Sequence, residues 1–268
     1  MKKIIAIFMA SLMALSLVGC TRLGYEKEGK NAADTAKNLF AIITGNEEIS
    51  LPDEEEPEEA EEDEYTPSAP IDFDEYLEKY KNTGVNQLVF IKYYDEGSNA
   101  EAYYYTKDNT TRDKWKLEFT CDADIAPNGI DKKKEGDQRT PTGDYGLVRA
   151  VGYKENPGCA LEYTMLDDQS VICNDDPETY NTIVNCLEVE HFCEGTKLYN
   201  QKSTYNYALD IDFNADCKFL GGSGIFLRCK SSTKDSTGGA VAIAEEDLLK
   251  IVTTVTPGAR IIIGREAR

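Results

Sequence analysis

Thiols and one imidazole are the groups in this 268-residue chain best suited to nucleophilic chemistry. The cysteines are Cys20, Cys121, Cys159, Cys173, Cys186, Cys193, Cys217 and Cys229, and the one histidine is His191. A thiol attacks as its thiolate, so it needs a neighbouring base or a surrounding that lowers its pKa. No two cysteines form a CxxC pair and only one histidine is present, so no zinc-ligand spacing stands out and neither a metal nor a cofactor is expected. Cys20 stands apart, at the end of an apolar run. The other seven are an odd number, which leaves at least one thiol outside any intramolecular disulfide framework. Spacing alone does not choose between such a framework and small, buried thiols.

Two lysines, Lys2 and Lys3, precede an apolar stretch over residues 4–18 that is too short to be a permanent membrane span. It ends in Leu17-Val18-Gly19-Cys20, which resembles the lipobox of bacterial lipoproteins. The resemblance implies that residues 1–19 are a signal peptide, that Cys20 carries a diacylglycerol, and that the chain is exported and anchored on the outer face of a membrane. Two acyl chains hold a protein on a bilayer where one does not.

Charge divides the remainder. The formal net charge is −20, and the acids concentrate in residues 21–75, with a solid run at Asp53-Glu54-Glu55-Glu56 and Glu61-Glu62-Asp63-Glu64. Like charges with interspersed prolines repel and stay solvated, so residues 20–72 read as a lipidated N-terminus and a disordered acidic tether. About fifty flexible residues reach roughly 40 Å, and repulsion extends them. A short helix over 31–44 is the one element expected within it. No basic face is present, so a nucleic-acid partner is excluded.

The domain is expected over residues 73–268. Apolar and alternating runs predict strands at 87–94, 100–105, 115–121, 207–213, 225–227 and 260–264, with helices at 74–81 and 245–252. The fold class is therefore mainly β with a few helices.

Four segments, in order, resemble the L,D-transpeptidase family with its YkuD-type catalytic domain. They are Lys134-Glu135-Gly136-Asp137-Gln138-Arg139-Thr140-Pro141-Thr142-Gly143-Asp144-Tyr145, then Leu166-Asp167-Asp168 through Asn174-Asp175-Asp176 to Tyr180-Asn181, then Tyr205-Asn206-Tyr207-Ala208-Leu209-Asp210-Ile211-Asp212-Phe213-Asn214, and last Gly222-Ser223-Gly224-Ile225-Phe226-Leu227-Arg228-Cys229 with Ser236-Thr237-Gly238-Gly239-Ala240-Val241-Ala242-Ile243. The resemblance covers about residues 85–264 and implies a β-sandwich or barrel-like domain acting on the stem peptides of peptidoglycan. In that family a cysteine attacks the stem peptide and a histidine takes the thiol proton.

Carried over, the base position falls on Arg228 and the nucleophile position on Ala240. A guanidinium stays protonated and alanine has no nucleophile, so no catalytic group of the family is intact. Four residues are candidate stand-ins. Cys229 neighbours Arg228 and should point to the opposite face of its strand. Ser236 and Thr237 lack a base, and His191 lies far upstream. The reading is a non-catalytic relative that binds a stem peptide or a cell-wall protein through Arg228, Thr237, Gly238 and Gly239. The alternatives are an active transpeptidase or carboxypeptidase with another nucleophile, and an interaction protein with an empty cleft. Arg228 matches a carboxylate bidentately, unless a nearby acid such as Asp235 already holds it.

Overall fold

A computed structural model describes residues 65–266, apart from 96, 113, 190–193 and 233–235. The expected signal peptide, Cys20, the 31–44 helix and the acidic run lie outside the described residues, as do His191, Cys193 and Asp235. Among the described residues no helix is long and apolar enough to cross a membrane.

The strands expected from apolar runs are present, and they close on one another. In chain order they are β1 (Gln87–Tyr93), β2 (Asn99–Lys107), β3 (Trp115–Asp124), β4 (Gly143–Gly152), β5 (Tyr163–Met165), β6 (Ser170–Ile172), β7 (Ile183–Asn185), β8 (Thr196–Lys197), β9 (Ala208–Ile211), β10 (Phe226–Cys229), β11 (Val241–Ile243) and β12 (Arg260–Arg265). The order β12-β1-β2-β3-β11-β10-β9-β4 returns to β12 through a β12–β4 pairing, giving a closed eight-stranded barrel with β5 appended beside β4. Closure removes free edges from the sheet. The pairs β1–β12, β10–β11 and β4–β5 are parallel and the rest of the barrel is antiparallel.

Why β1 is a continuous apolar run follows from its two burials. Val89, Ile91 and Tyr93 belong to the main barrel core, while Leu88 and Phe90 belong to a second cluster with Phe73, Trp115 and Ile262. Helix α1 (Phe73–Tyr80) closes that outer cluster: Asp72 caps it by accepting from the Asp74 N–H at 3.0 Å. Trp115 Nε1 donates to Leu77 O at 2.9 Å, tying the helix to β3. Helix α2 (Glu245–Val252) sends Leu248, Ile251 and Val252, at helical spacing, into the barrel core.

The unit extends further toward the N-terminus than composition suggests. Its compact part begins at Tyr65, not Phe73. Tyr65 Oη and the Ser68 N–H both donate to Asp131 Oδ2 at 3.1 Å, and the Ile71 N–H donates to Arg265 O at 2.8 Å. Residues 65–72 carry no apolar period, so their docking through hydrogen bonds, the stacking of Arg139 on Tyr65 and the packing of Ile71 left no trace in the pattern.

Between β4 and β9 the chain leaves the barrel for an excursion that the sequence reading left without elements. It holds β5, a small antiparallel sheet in the order β7-β6-β8, and a 3-10 helix (Leu198–Tyr205). Leu166, Ile172, Leu198 and Tyr205 from this excursion pack on Val151, Ala208 and Phe226 of the barrel wall. Ala208 is accordingly buried, not on a solvated face as the alternation over 207–213 implied.

Candidate functional site

Strand β10 is buried on both faces, and its alternation sorts the chemistry. Leu227 and Cys229 enter the barrel core, and Phe226 joins the cluster beneath the excursion. Arg228 lies on the Phe226 side, with its guanidinium 5.7 Å from the centre of the Tyr205 ring. Cys229 is a core thiol: burial pushes its pKa up to about 11, and its Sγ sits 3.5 Å from Tyr207 O. That is the opposite of the activation a nucleophile needs.

Arg228 is only 3% exposed. Its Nη1 donates to Cys229 O at 3.2 Å and its Nη2 to Thr237 O at 3.4 Å. Its Nε is buried without a hydrogen-bond partner, and so is Thr237 Oγ1. Among the described residues no carboxylate forms an ion pair with it. Asp210, on the neighbouring strand β9, is engaged by Arg149 Nε at 2.6 Å instead.

The turn that carries the nucleophile position is shaped by glycine. Gly238 has φ +67° and Gly239 φ +119°, both in the region that side chains avoid. The Ala240 N–H donates to Thr237 O at 3.2 Å, and the Gly238 N–H to Ser236 Oγ at 3.1 Å. Ser236 in turn donates to Gln138 Oε1 at 2.7 Å. A Cβ at Gly239 would sit 2.9 Å from both Arg139 O and Ile225 Cδ1, whereas one at Gly238 would meet nothing within 4 Å. Gly239→Ala should therefore lower stability by about 1–3 kcal/mol and more than Gly238→Ala, read from denaturant midpoints. Equal costs at the two positions would contradict the packing around this turn.

The sequence reading missed one charged neighbour. Lys132 is 8% exposed, and its Nζ reaches Asp137 Oδ1 at 2.9 Å and Lys134 O at 3.1 Å. Burial pushes the Asp137 carboxyl up, but Lys132 and the Lys133 and Lys134 N–H groups outweigh it, leaving its pKa below the usual carboxylate value. Lys132 precedes the Lys134–Tyr145 segment, and only the burial of its side chain beside Gly222 and Gly239 distinguishes it.

The four segments singled out in the sequence meet here. Asp137 locks Lys132, Tyr180 Oη accepts the Gly222 N–H at 3.0 Å, Asn181 Oδ1 accepts the Gly224 N–H at 2.9 Å, and β9 pairs with β10. Arg228 stands opposite Ala242 in the β10–β11 register, and Ala240 is 2% exposed just before β11. Among the other described cysteines, Cys121, Cys159, Cys186 and Cys217 are free thiols, and burial pushes the Cys121 and Cys159 pKa values up. A cavity of about 300 Å³ between β4 and the chain before β12, lined by Gly146, Leu147, Glu162, Asp212 and Pro257, shares no residue with this site.

No family model matches the chain, and no curated protein does. The crystal structure of a cysteine-to-serine mutant of Enterococcus faecium L,D-transpeptidase is similar with a TM-score of 0.30 and 11% identity, over 67% of this chain and 49% of that one. The chain thus spans about half the length of that protein, and a likeness of this degree assigns no family.

Proposed function

We propose that this protein is an exported, lipid-anchored envelope protein whose L,D-transpeptidase-like barrel binds a peptidoglycan stem peptide, or a wall protein, without cutting it. The observation that carries the reading is Arg228. A buried guanidinium with an unpartnered Nε stands where the resemblance places a base, and the position of the nucleophile is Ala240. Acyl transfer needs a nucleophile and a group that accepts its proton. Neither residue supplies one, and Cys229 is held as a high-pKa core thiol. Ser236 and Thr237 are hydroxyls without a base: Ser236 donates to Gln138, and Thr237 Oγ1 has no partner. What remains is a fixed positive donor beside a glycine turn, which is binding chemistry.

The test uses the full chain expressed in a bacterial envelope. Wild-type protein is expected in the membrane fraction and Cys20→Ala outside it. The purified mature protein is expected to co-sediment with peptidoglycan sacculi, and raised salt is expected to release it. Equal membrane partition of Cys20→Ala without acyl mass removes the anchor from the proposal, and failure to co-sediment removes the wall.

A further inference from the structure

We infer that Arg228 Nε and Thr237 Oγ1 form a receptor for a single carboxylate group, reached when the turn at Gly238 moves aside. The inference deepens the binding role proposed above and rests on it only for the peptide that would bring the carboxylate. Both Nη atoms of Arg228 are occupied, but by the neutral carbonyls of Cys229 and Thr237, so its charge stays uncompensated among the described residues. One face of the guanidinium looks toward the Tyr205 ring, which offers no anion. The Nε–H and the Thr237 hydroxyl are both buried and without a hydrogen-bond partner. Thr237 is tied to the same guanidinium through its own carbonyl, so the two orphan groups belong to one small site.

A guanidinium N–H donates only, and a threonine hydroxyl can donate as well. Two donors and one net positive charge match the two oxygens and single negative charge of a carboxylate. A phosphate monoester brings about −1.5 to −2 charges and three acceptor oxygens, which this pair leaves unmatched. Lys132, on the far side of Gly239, adds no free charge because Asp137 neutralises it. Both atoms are buried, so a carboxylate reaches them only when the turn moves: the space beside Gly238 leaves room for that, while Gly239 is packed against Arg139 O and Ile225.

The experiment pairs thermal denaturation with calorimetry on the mature chain, wild type and the variants Arg228→Met and Thr237→Val. The probes are acetate against chloride at equal ionic strength, and a stem tripeptide with a free C-terminal carboxylate against its C-terminal amide. Acetate is expected to raise the wild-type melting temperature and to leave both variants unmoved. The free acid is expected to bind about ten- to a hundred-fold tighter than the amide, a preference lost in both variants. Acetate protection that persists in the variants, or is absent from the wild type, overturns the receptor. If acetate protects through Arg228 and no stem peptide binds, the receptor stands and the wall reading falls. Peptide binding indifferent to the carboxylate and to Arg228 keeps the wall reading and sinks the receptor.

Discussion

Truncating Leu227 to alanine should destabilise the folded domain by about 2–5 kcal/mol, the usual range for removing a fully buried leucine side chain. Leu227 is fully buried, sits on β10 between Leu209 and Val241 in register, and belongs to the barrel core. Its loss leaves a cavity in a closed barrel, where neighbouring strands are hydrogen-bonded on both sides and cannot collapse freely. Denaturant unfolding monitored by the single tryptophan, Trp115, reads the effect. A cost under 1 kcal/mol would mean that the barrel interior is looser than its packing indicates.

The next residue should give the opposite sign. Arg228→Met is expected to raise the stability of the ligand-free domain by about 1–4 kcal/mol, the gain seen when buried charged groups are exchanged for apolar side chains of similar volume. Arg228 has an orphan Nε and no ion-pair partner among the described residues, so folding strips water from a charge and returns two hydrogen bonds to neutral carbonyls. A methionine fills similar space beside Phe226 and Tyr205 without that cost. Loss of more than 1 kcal/mol would show that Arg228 is held by a stabilising partner, and the unpaired receptor would be wrong. Adjacent residues with opposite effects separate what the barrel needs to fold from what the proposed binding role uses.

Much of the barrel was legible because its strands announce themselves chemically. β1, β2, β3, β10 and β12 are apolar or aromatic runs, and α2 has its apolar residues at i, i+3 and i+4. β4 was not among the strands expected from apolar or alternating runs. Glycine at both ends, half-exposed Val148 and the charged Arg149 break any simple period along it. Strands of two or three residues, such as β6, β7 and β8, are too short to show a period at all. Closure of β12 on β4 is a contact between residues more than a hundred positions apart, which no local pattern contains.

The site divides in the same way. Strand alternation alone placed Arg228 and Cys229 on opposite faces, and the structure has them so. Gly238 and Gly239 were read only as binding residues, and the positive φ of both, which shapes the turn, was not foreseen. Hidden from sequence was the orphan state of Nε and Thr237 Oγ1, because hydrogen-bond satisfaction is a property of the packed fold. Lys132 was hidden for a related reason: lysine is ordinarily exposed, and only its Asp137 partner allows this one to be buried.

Loss of acyl transfer with retention of a binding site is the central claim, and intact-protein mass spectrometry tests it directly. The purified mature protein is incubated with a carbapenem, and separately with a stem tetrapeptide whose fourth residue can be released. Unchanged protein mass and an intact tetrapeptide are the predicted result, since Ala240 offers no nucleophile and Arg228 no base. A covalent adduct that survives denaturation, or release of the fourth residue above the buffer rate, would contradict it.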